Sequence, residues 1–461
     1  MKKLDMRRQP RWLCPGRTRL SPHVLVFLSL GLAYGQQITT TIVGNQGKPA
    51  LAVPQFKGAG SQQFMSQFNA TLFGDLESSG LFDMKSRSLY PLHNPQQPAD
   101  VRPEDNHQGF ALTDWSGSPV GASHLVFGYT AAQNGVLVLY GFVYDARQQN
   151  PRSAQLLAQR YVGSLDEAGA LKVAHEFAND IIQKFGGSGS LLGSRIYFSS
   201  KRSGHDEIWV MDWDGANQKQ LTHLGGLALY PAVSPDGGRV AFTTLSNTGA
   251  RLVMADTATG RVIPFASPRA SVNANATFTP DGKTIYFAST TGGTAEQIYS
   301  AAASGGQGLH RILYSKAIAA EPKVNPKNPS LMLFVSGPGP QQIYRMSSDG
   351  AGIDRVTNGQ GEASNPSWNP DGEHMAFAWT QGYAKGAFNI FVMDVASHSY
   401  VQLTHNEGRN ENPVWAPDGR HLVFMSSRNG REQIYTMLAD GSQVKQLTTQ
   451  GTNRYPVWGV K

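Results

Sequence analysis

The chain has 461 residues, among them 50 glycines, 26 prolines and one cysteine, and it carries a formal net charge of +7. This length exceeds what one hydrophobic core usually supports, so we expect two domains. A single cysteine, Cys14, excludes an intrachain disulfide framework and a cysteine metal cluster.

Residues 1–35 have the composition of a secretory signal peptide. Seven basic residues and one acid precede a short apolar run, residues 24–32, which small residues follow. A retained membrane anchor is the less favoured alternative, because a spanning helix needs roughly 20 apolar residues. We expect export and cleavage before Gln36. The remaining chain then has a net charge of about +1, which does not indicate nucleic-acid binding.

Residues 36–187 predict an α+β domain. The apolar stretch 51–56 predicts a first strand, and apolar residues at four-residue spacing predict a helix over 64–80. Two strands, 124–130 and 136–145, are joined across Asn134-Gly135, a strong hairpin signal.

The same domain is expected to end in a third strand over residues 155–162 and an amphipathic helix over 166–185. Small residues dominate the stretch that follows, so residues 188–194 predict a linker between two domains.

Residues 195–461 repeat one turn motif about every 45 residues, a period typical of β-propeller blades. The clear copies are Pro235-Asp236-Gly237, Pro280-Asp281-Gly282, Pro370-Asp371-Gly372 and Pro417-Asp418-Gly419. A degenerate copy lies at residues 324–329. Each turn joins two apolar runs, and the whole repeat has room for four strands.

The two ends of the repeat region complete one blade. Residues 195–198 open it without a preceding turn motif, and residues 454–459 close it without a following hairpin. The count is therefore six blades, with the ring closed by the C-terminal strand so that no sheet edge stays open between first and last blade.

Sequence motifs for catalysis or cofactor binding are absent. The chain has no Gly-x-Ser-x-Gly elbow and no Walker loop, and His175-Glu176 is followed by Asn179 where a zincin motif has its second histidine. We therefore expect no catalytic residue, no metal and no cofactor.

Loops on one face of the propeller are the predicted binding surface. The loops leading into the innermost strands converge on the channel mouth and are varied and polar, whereas the Pro-Asp-Gly turns lie on the opposite face and offer little for recognition. The expected partner-binding residues are Asn273, Glu321, Asn365, Arg409, Glu411, Arg454 and Tyr455, together with Arg202, Arg428 and Arg431. The alternative is that these loops only close the channel and that their charges are merely solvated.

This order of parts resembles the TolB family of periplasmic propeller proteins in the Tol-Pal system. Residues 75–82, Asp-Leu-Glu-Ser-Ser-Gly-Leu-Phe, are similar to a stretch of the family's first domain. The resemblance implies a monomeric, non-enzymatic adaptor that binds the lipoprotein Pal through its propeller and the inner-membrane protein TolA through its N-terminal part, which supports envelope integrity and cell division.

For the TolA contact the resemblance implies the mature N-terminus, Gln36, Gln37, Ile38 and Thr39. Two alternatives stay open at this point, both with a site in the central channel: a propeller enzyme and a ligand-sensing propeller. Sequence cannot exclude them, because six loops meet only in space.

Overall fold

The computed structural model describes residues 47–59, 62–102, 109–187, 191, 193–247 and 249–460. Within them, an α+β segment precedes a six-bladed β-propeller, which confirms the predicted fold class. The predicted signal peptide lies outside the described residues. None of the helices in the described part is long and apolar enough to cross a membrane.

The α+β segment is built on one six-stranded mixed sheet. Its strands are β1 (Ala50–Ala52), β2 (Lys57–Gly58), β3 (Asp83–Met84), β4 (His124–Gln133), β5 (Val136–Asp145) and β6 (Gln155–Ser164). The strand order is β3-β1-β4-β5-β6, and β2 also pairs with β4.

Two long helices share one hydrophobic core with this sheet. The helices are α1 (Gln62–Ser78), α2 (Thr113–Ser116), α3 (Pro151–Ala154) and α4 (Glu167–Lys184), with 3-10 helices at Arg87–Leu89 and Pro98–Asp100. Leu72 and Leu76 of α1 and Phe177 and Ile181 of α4 are fully buried in this core. The apolar spacing that predicted both long helices is thus the spacing of their buried faces.

Most of the predicted elements in this segment are confirmed, each long helix within two residues. Asp166 caps α4, because its carboxylate accepts a hydrogen bond from the Gly169 amide at 2.8 Å. The predicted strand over residues 51–56 is confirmed at residues 51 and 52 but is too long, since β1 ends at Ala52. The next amide, of Val53, donates to the Tyr90 hydroxyl at 3.0 Å instead of to a strand, and Pro54 has no amide hydrogen to donate.

The propeller has five blades made of consecutive antiparallel strands. They are β10 to β13 (Leu229–Val233, Arg239–Ser246, Gly249–Asp256, Val262–Ile263), β14 to β17 (Asn273–Phe278, Thr284–Ser289, Gln297–Ala302, His310–Arg311), β18 to β21 (Ala319–Val324, Leu331–Ser336, Gln342–Ser347, Asp354–Arg355), β22 to β25 (Ala363–Trp368, His374–Trp379, Asn389–Asp394, Tyr400–Gln402) and β26 to β29 (Asn410–Trp415, His421–Ser426, Gln433–Leu438, Lys445–Gln446). We number them blades 1 to 5.

Blade 6 joins the two ends of the propeller. It has the order β30-β7-β8-β9, in which β30 (Asn453–Gly459) pairs with β7 (Arg195–Ser200), followed by β8 (Glu207–Asp212) and β9 (Lys219–Gln220). The predicted closure by the C-terminal strand is therefore confirmed. Trp458 of β30 also donates its indole hydrogen to the Ser194 hydroxyl at 2.8 Å, just ahead of β7.

The degenerate turn in blade 3 keeps the same role with different chemistry. In the Pro-Asp-Gly turns, the aspartate accepts hydrogen bonds from backbone amides of the turn, as Asp418 does from Arg420 and His421. In blade 3 the Asn325 side-chain oxygen accepts from the amides of Lys327 and Asn328, both at 2.9 Å. An asparagine one residue before the proline thus replaces the aspartate one residue after it.

The α+β segment packs against the turn face of blade 5. The His421 ring contacts the Ser78 carbonyl oxygen at 2.7 Å, and Gln443 donates to the Glu77 carbonyl at 3.1 Å. A cleft beside these contacts has about 390 Å³ of open space, lined among others by His175 and Arg420. Both hydrogen bonds between the described part of the segment and blade 5 lie on this turn face, opposite to the face where the channel opens.

The predicted linker falls partly outside the described residues, which omit 188–190 and 192. The division of the chain into domains 36–187 and 195–461 stays a prediction.

Candidate functional site at the channel mouth

Six residues, one on each innermost strand, form a ring around the channel. Each has a left-handed backbone conformation, with φ between 52° and 55°. These residues, called the channel ring below, are Tyr230, Asn275, Glu321, Asn365, Asn412 and Tyr455. Non-glycine residues rarely adopt this conformation, and it costs roughly 1–2 kcal/mol each. Because all six blades have this strained conformation at the same position, it is a regular feature of the fold and not a local irregularity.

A β-bulge produces the ring in every blade. In each innermost strand the register shifts at the ring residue, as between Ala320 and Lys323 in blade 3. A proline follows five of the six ring residues, Pro231 and Pro366 for example. Proline fits here because it has no amide hydrogen that the interrupted ladder would have to satisfy. The bulge turns the ring side chain toward the channel.

Polar ring residues are linked from blade to blade by hydrogen bonds. The Glu321 carboxylate accepts from the Asn365 amide at 2.6 Å and from the Asn365 side chain at 3.0 Å. The Asn365 side-chain oxygen in turn accepts from the Asn412 amide at 3.3 Å. Burial raises the pKa of Glu321, although these hydrogen bonds and the charge of Lys323 act in the opposite direction.

The other side of the ring is aromatic. The rings of Tyr230 and Tyr455, from blades 1 and 6, have centroids 4.2 Å apart. Burial first, and then the hydrogen bond and charge of Tyr455, raise the pKa of Tyr230. The polar and aromatic sides face each other across the channel, which both of them line.

Three of the predicted partner-binding residues belong to the ring: Glu321, Asn365 and Tyr455. The expectation that Asn273 reaches the channel mouth is wrong. It lies two residues before the ring position of blade 2, is fully buried, and donates to the carbonyls of Ala250 and Pro268 at 2.8 and 2.9 Å. Its amide fixes the loop from within.

Tyr230, Asn275 and Asn412 are the ring residues that the sequence-based prediction missed. Each ring residue in blades 1 to 5 stands five positions before the turn proline, as Asn275 does before Pro280 and Asn412 before Pro417. Applying this fixed spacing would have found all three, since Tyr230 stands five positions before Pro235. The predicted Glu411 stands one residue earlier, beside the ring and not on it.

Glu411 and the predicted arginines surround the ring, where most of them are paired. Arg409 contacts Glu411 at 2.9 Å, Arg428 contacts Glu407 at 3.2 Å, and Arg454 forms an ion pair with Glu432. Burial raises the pKa of Glu411, against the opposing charge of Arg409. Carboxylates thus neutralise most of the predicted basic cluster.

Two of the arginines also pack on aromatic rings. The Arg202 guanidinium lies 4.5 Å from the Trp209 ring centroid and that of Arg428 lies 4.9 Å from the Tyr435 ring centroid. Arg431 is exposed. Most charges at the channel mouth are therefore paired and fixed in position. Such a surface suits short-range recognition of a protein better than long-range attraction of an acidic partner.

The residues predicted to contact TolA, Gln36, Gln37, Ile38 and Thr39, lie outside the described residues. Their arrangement relative to the ring stays a prediction.

The chain matches known proteins over most of the propeller. A sequence profile of the TolB beta propeller domain matches residues 182–382 and 354–460, more than half of the chain. The chain is 29% identical over 319 residues to the protein TolB homolog of Chlorobium chlorochromatii (strain CaD3), covering 69% of this chain and 58% of that protein. It is 30% identical over 210 residues to the Tol-Pal system protein TolB of Bordetella pertussis, covering 45% and 47% of the two chains.

The matched region spans about half the length of the curated relatives. Among solved structures, the crystal structure of TolB from Acinetobacter baumannii has a TM-score of 0.73 at 21% identity and covers 90% of this chain and 98% of that one. That likeness extends the shared fold to both parts of the chain. The six blades, their turn motif and the profile match agree, and the chain belongs to the TolB beta propeller family.

Proposed function

We propose that this chain is a periplasmic, non-catalytic adaptor of the Tol-Pal system. In this proposal the propeller binds a Pal-like lipoprotein at the channel mouth, and the N-terminal part binds a TolA-like inner-membrane protein, in support of envelope integrity and cell division. The family relationship supports the general role, since relatives are named as Tol-Pal system proteins.

One observation carries the placement of the Pal site. Six strained backbone positions lie around the channel, which opens on the face of the entry loops, and on blade 5 the α+β segment contacts the other face. Strain of this kind persists where the surrounding structure fixes it, and it clusters at binding sites. The face of varied loops is therefore the better candidate for a partner than the face of uniform short turns.

Removing the ion pair beside the ring tests this placement. The double variant Arg409→Ala with Glu411→Ala is expected to weaken Pal binding at least about tenfold, or 1.4 kcal/mol. Because the two side chains pair with each other at 2.9 Å, their joint removal leaves no unpaired charge behind, and the melting temperature should stay unchanged. Isothermal titration calorimetry with purified Pal measures the affinity.

Asp281→Asn is the matched control for that experiment, since Asp281 is an exposed turn residue on the opposite face. We expect it to bind Pal like the wild type. Unchanged affinity in the double variant together with weaker binding in the control would place the site on the turn face. A wild-type chain that binds no Pal would contradict the proposed function itself.

Export to the periplasm has its own test. The mature protein is expected to begin at or near Gln36 and to be recovered in the periplasmic fraction, because the apolar run at 24–32 is long enough for a signal peptide and too short for a membrane anchor. N-terminal sequencing of the fractionated protein checks this. Chains that retain Met1 in the membrane fraction would refute it.

A further inference from the structure

A lysine stands in the channel wall without a partner. Lys323 lies two residues after the ring residue Glu321 on β18, and both line the channel. Among the described residues, no group lies within hydrogen-bond or ion-pair distance of the Lys323 ammonium. The Glu321 carboxylate is engaged elsewhere, since it accepts both donors of Asn365. The charge of Lys323 is therefore left without a direct counter-ion.

The Lys323 side chain is only partly exposed to the channel, so its ammonium has limited access to water and gains from a bound partner. Burial lowers the pKa of Lys323, and the nearby charge of Glu321 offsets only part of that effect. A negatively charged group bound in the channel would supply the missing hydrogen bonds and favour the charged lysine.

The rest of the wall defines what such a group could belong to. The side-chain amides of Asn275 and Asn412 make no hydrogen bond to another described residue and can bind polar atoms of a ligand. The Tyr230 and Tyr455 pair, with Pro231 and Pro456, adds an apolar and aromatic surface. This combination suits a compact organic anion with one flat or apolar side.

A cation fits this wall poorly. Glu321 is the one carboxylate among the residues that line the described channel, and it already accepts two hydrogen bonds. A calcium ion takes six to eight oxygen ligands and favours several carboxylates. The positive charge of Lys323 would also repel it.

We propose that the propeller channel binds a small organic carboxylate, with Lys323 as its counter-ion, Asn275 and Asn412 as hydrogen-bonding groups and the Tyr230 and Tyr455 rings as its apolar wall. This site goes beyond the adaptor role, and only its second source below, a side chain of a bound protein, rests on the proposed binding of Pal. The carboxylate has two conceivable sources, a free metabolite or an acidic side chain that a bound protein inserts, and the chemistry at Lys323 is the same for both.

Benzoate and its neutral isostere benzamide are matched probes for the site. Benzoate is expected to bind the mature chain at millimolar concentration and at least tenfold more tightly than benzamide, because only benzoate can pair with the ammonium. Calorimetry or ligand-observed NMR measures both. Measurable binding of both probes with equal affinity would overturn the proposal.

Two variants test whether the charge of Lys323 is responsible for benzoate binding. Lys323→Met keeps the length of the side chain without its charge and is expected to lose at least tenfold in benzoate affinity while the melting temperature stays the same or rises. Lys283→Met, which alters an exposed turn lysine on the other face, should bind benzoate like the wild type. If Lys323→Met fails to fold, Lys323→Gln replaces it. Benzoate affinity that survives loss of the Lys323 charge would overturn the proposal.

Pal binding to the same variants distinguishes the two sources. If benzoate binds and Lys323→Met leaves Pal affinity unchanged, the site takes a free carboxylate. If benzoate does not bind but Lys323→Met weakens Pal binding at least tenfold, the carboxylate comes from an acidic side chain of the partner. If benzoate does not bind and Pal affinity is also unchanged, Lys323 recognises no carboxylate and the proposal fails.

Discussion

Deleting residues 454–461 is expected to open the propeller, with loss of soluble protein or a fall in melting temperature of about 10 °C or more. The deletion removes nearly all of β30, the innermost strand of blade 6, which pairs with β7 from Asn453 to Gly459. It also removes Trp458, which is buried and bonded to Ser194. The exposed edge of β7 then offers unpaired backbone groups to other chains, and such edges promote aggregation.

Differential scanning calorimetry of the purified proteins measures this effect. A chain shortened only by residues 460 and 461, which lie beyond β30, is the control and should melt like the wild type. A normal melting curve for the longer deletion would show that β30 is dispensable and that the ring is held by contacts between blades.

Replacing Asp418 with asparagine is expected to destabilise the protein by about 3–5 kcal/mol, the cost typical of breaking a buried ion pair. One oxygen of Asp418 accepts from the Arg420 and His421 amides, and the other accepts from His421 Nδ1 at 2.6 Å. Asparagine can keep the amide contacts but has no charge. Arg420, which is 7% exposed, would then keep no counter-ion nearby.

The His421 ring explains why the charge of Asp418 matters beyond its own turn. Nδ1 faces the Asp418 carboxylate and Nε2 faces the Ser78 carbonyl oxygen, so both ring nitrogens meet acceptors. The contact with Asp418 fixes the orientation of the ring, and with it the position of Nε2 against the Ser78 carbonyl oxygen. The Asp418 charge therefore supports the contact between the propeller and α1.

Asp281→Asn is the matched control, because it makes the same change in an equivalent but exposed turn. We expect it to alter the free energy of unfolding by less than about 0.5 kcal/mol. Urea denaturation at neutral pH measures both variants. Equal losses of stability in the two variants would mean that the change in the turn, and not the loss of the buried charge, destabilises the protein.

The same pair of proteins should show a pH dependence of definite sign. Burial opposes ionisation of Asp418, but the charges of His421 and Arg420 and the hydrogen bonds hold its pKa below the ordinary value. A carboxylate with a lowered folded pKa contributes stability above its unfolded pKa of about 3.9, and that stability is lost as the pH falls through the folded pKa. The gap between wild type and Asp418→Asn should therefore narrow below about pH 4.

The sequence predicted the blade count and the ring closure because both depend on a turn motif whose chemistry is local. Proline, aspartate and glycine specify the same turn wherever they occur together. The long helices were predictable for a similar reason, since their apolar spacing and the Asp166 cap lie within the helix itself. The strand at residues 51–56 was not, because the group that takes the Val53 amide, Tyr90, comes from 37 residues away.

The channel ring shows where reasoning from sequence was incomplete. Residue type alone favoured Asn273 and Glu411, and the structure has Asn275 and Asn412 at these ring positions. The predicted and observed positions differ by only one or two residues, but the bulge in the strand decides which of these side chains faces the channel. The docking of Ser78 against His421 could not be predicted at all, because these residues are 343 positions apart and no repeat relates them.

Closure by β30 also sets an order of events during biogenesis. β30 (Asn453–Gly459), which pairs with one edge of β7, is the last strand of the described chain to be made. β7 is the first strand of the propeller. A chain that is synthesised from its N-terminus must hold β7 with one edge unpaired until five further blades have followed. The unpaired edge of β7 can therefore pair with a wrong strand throughout the time in which the rest of the propeller is made. A factor that shields β7 would act during that time and not after it.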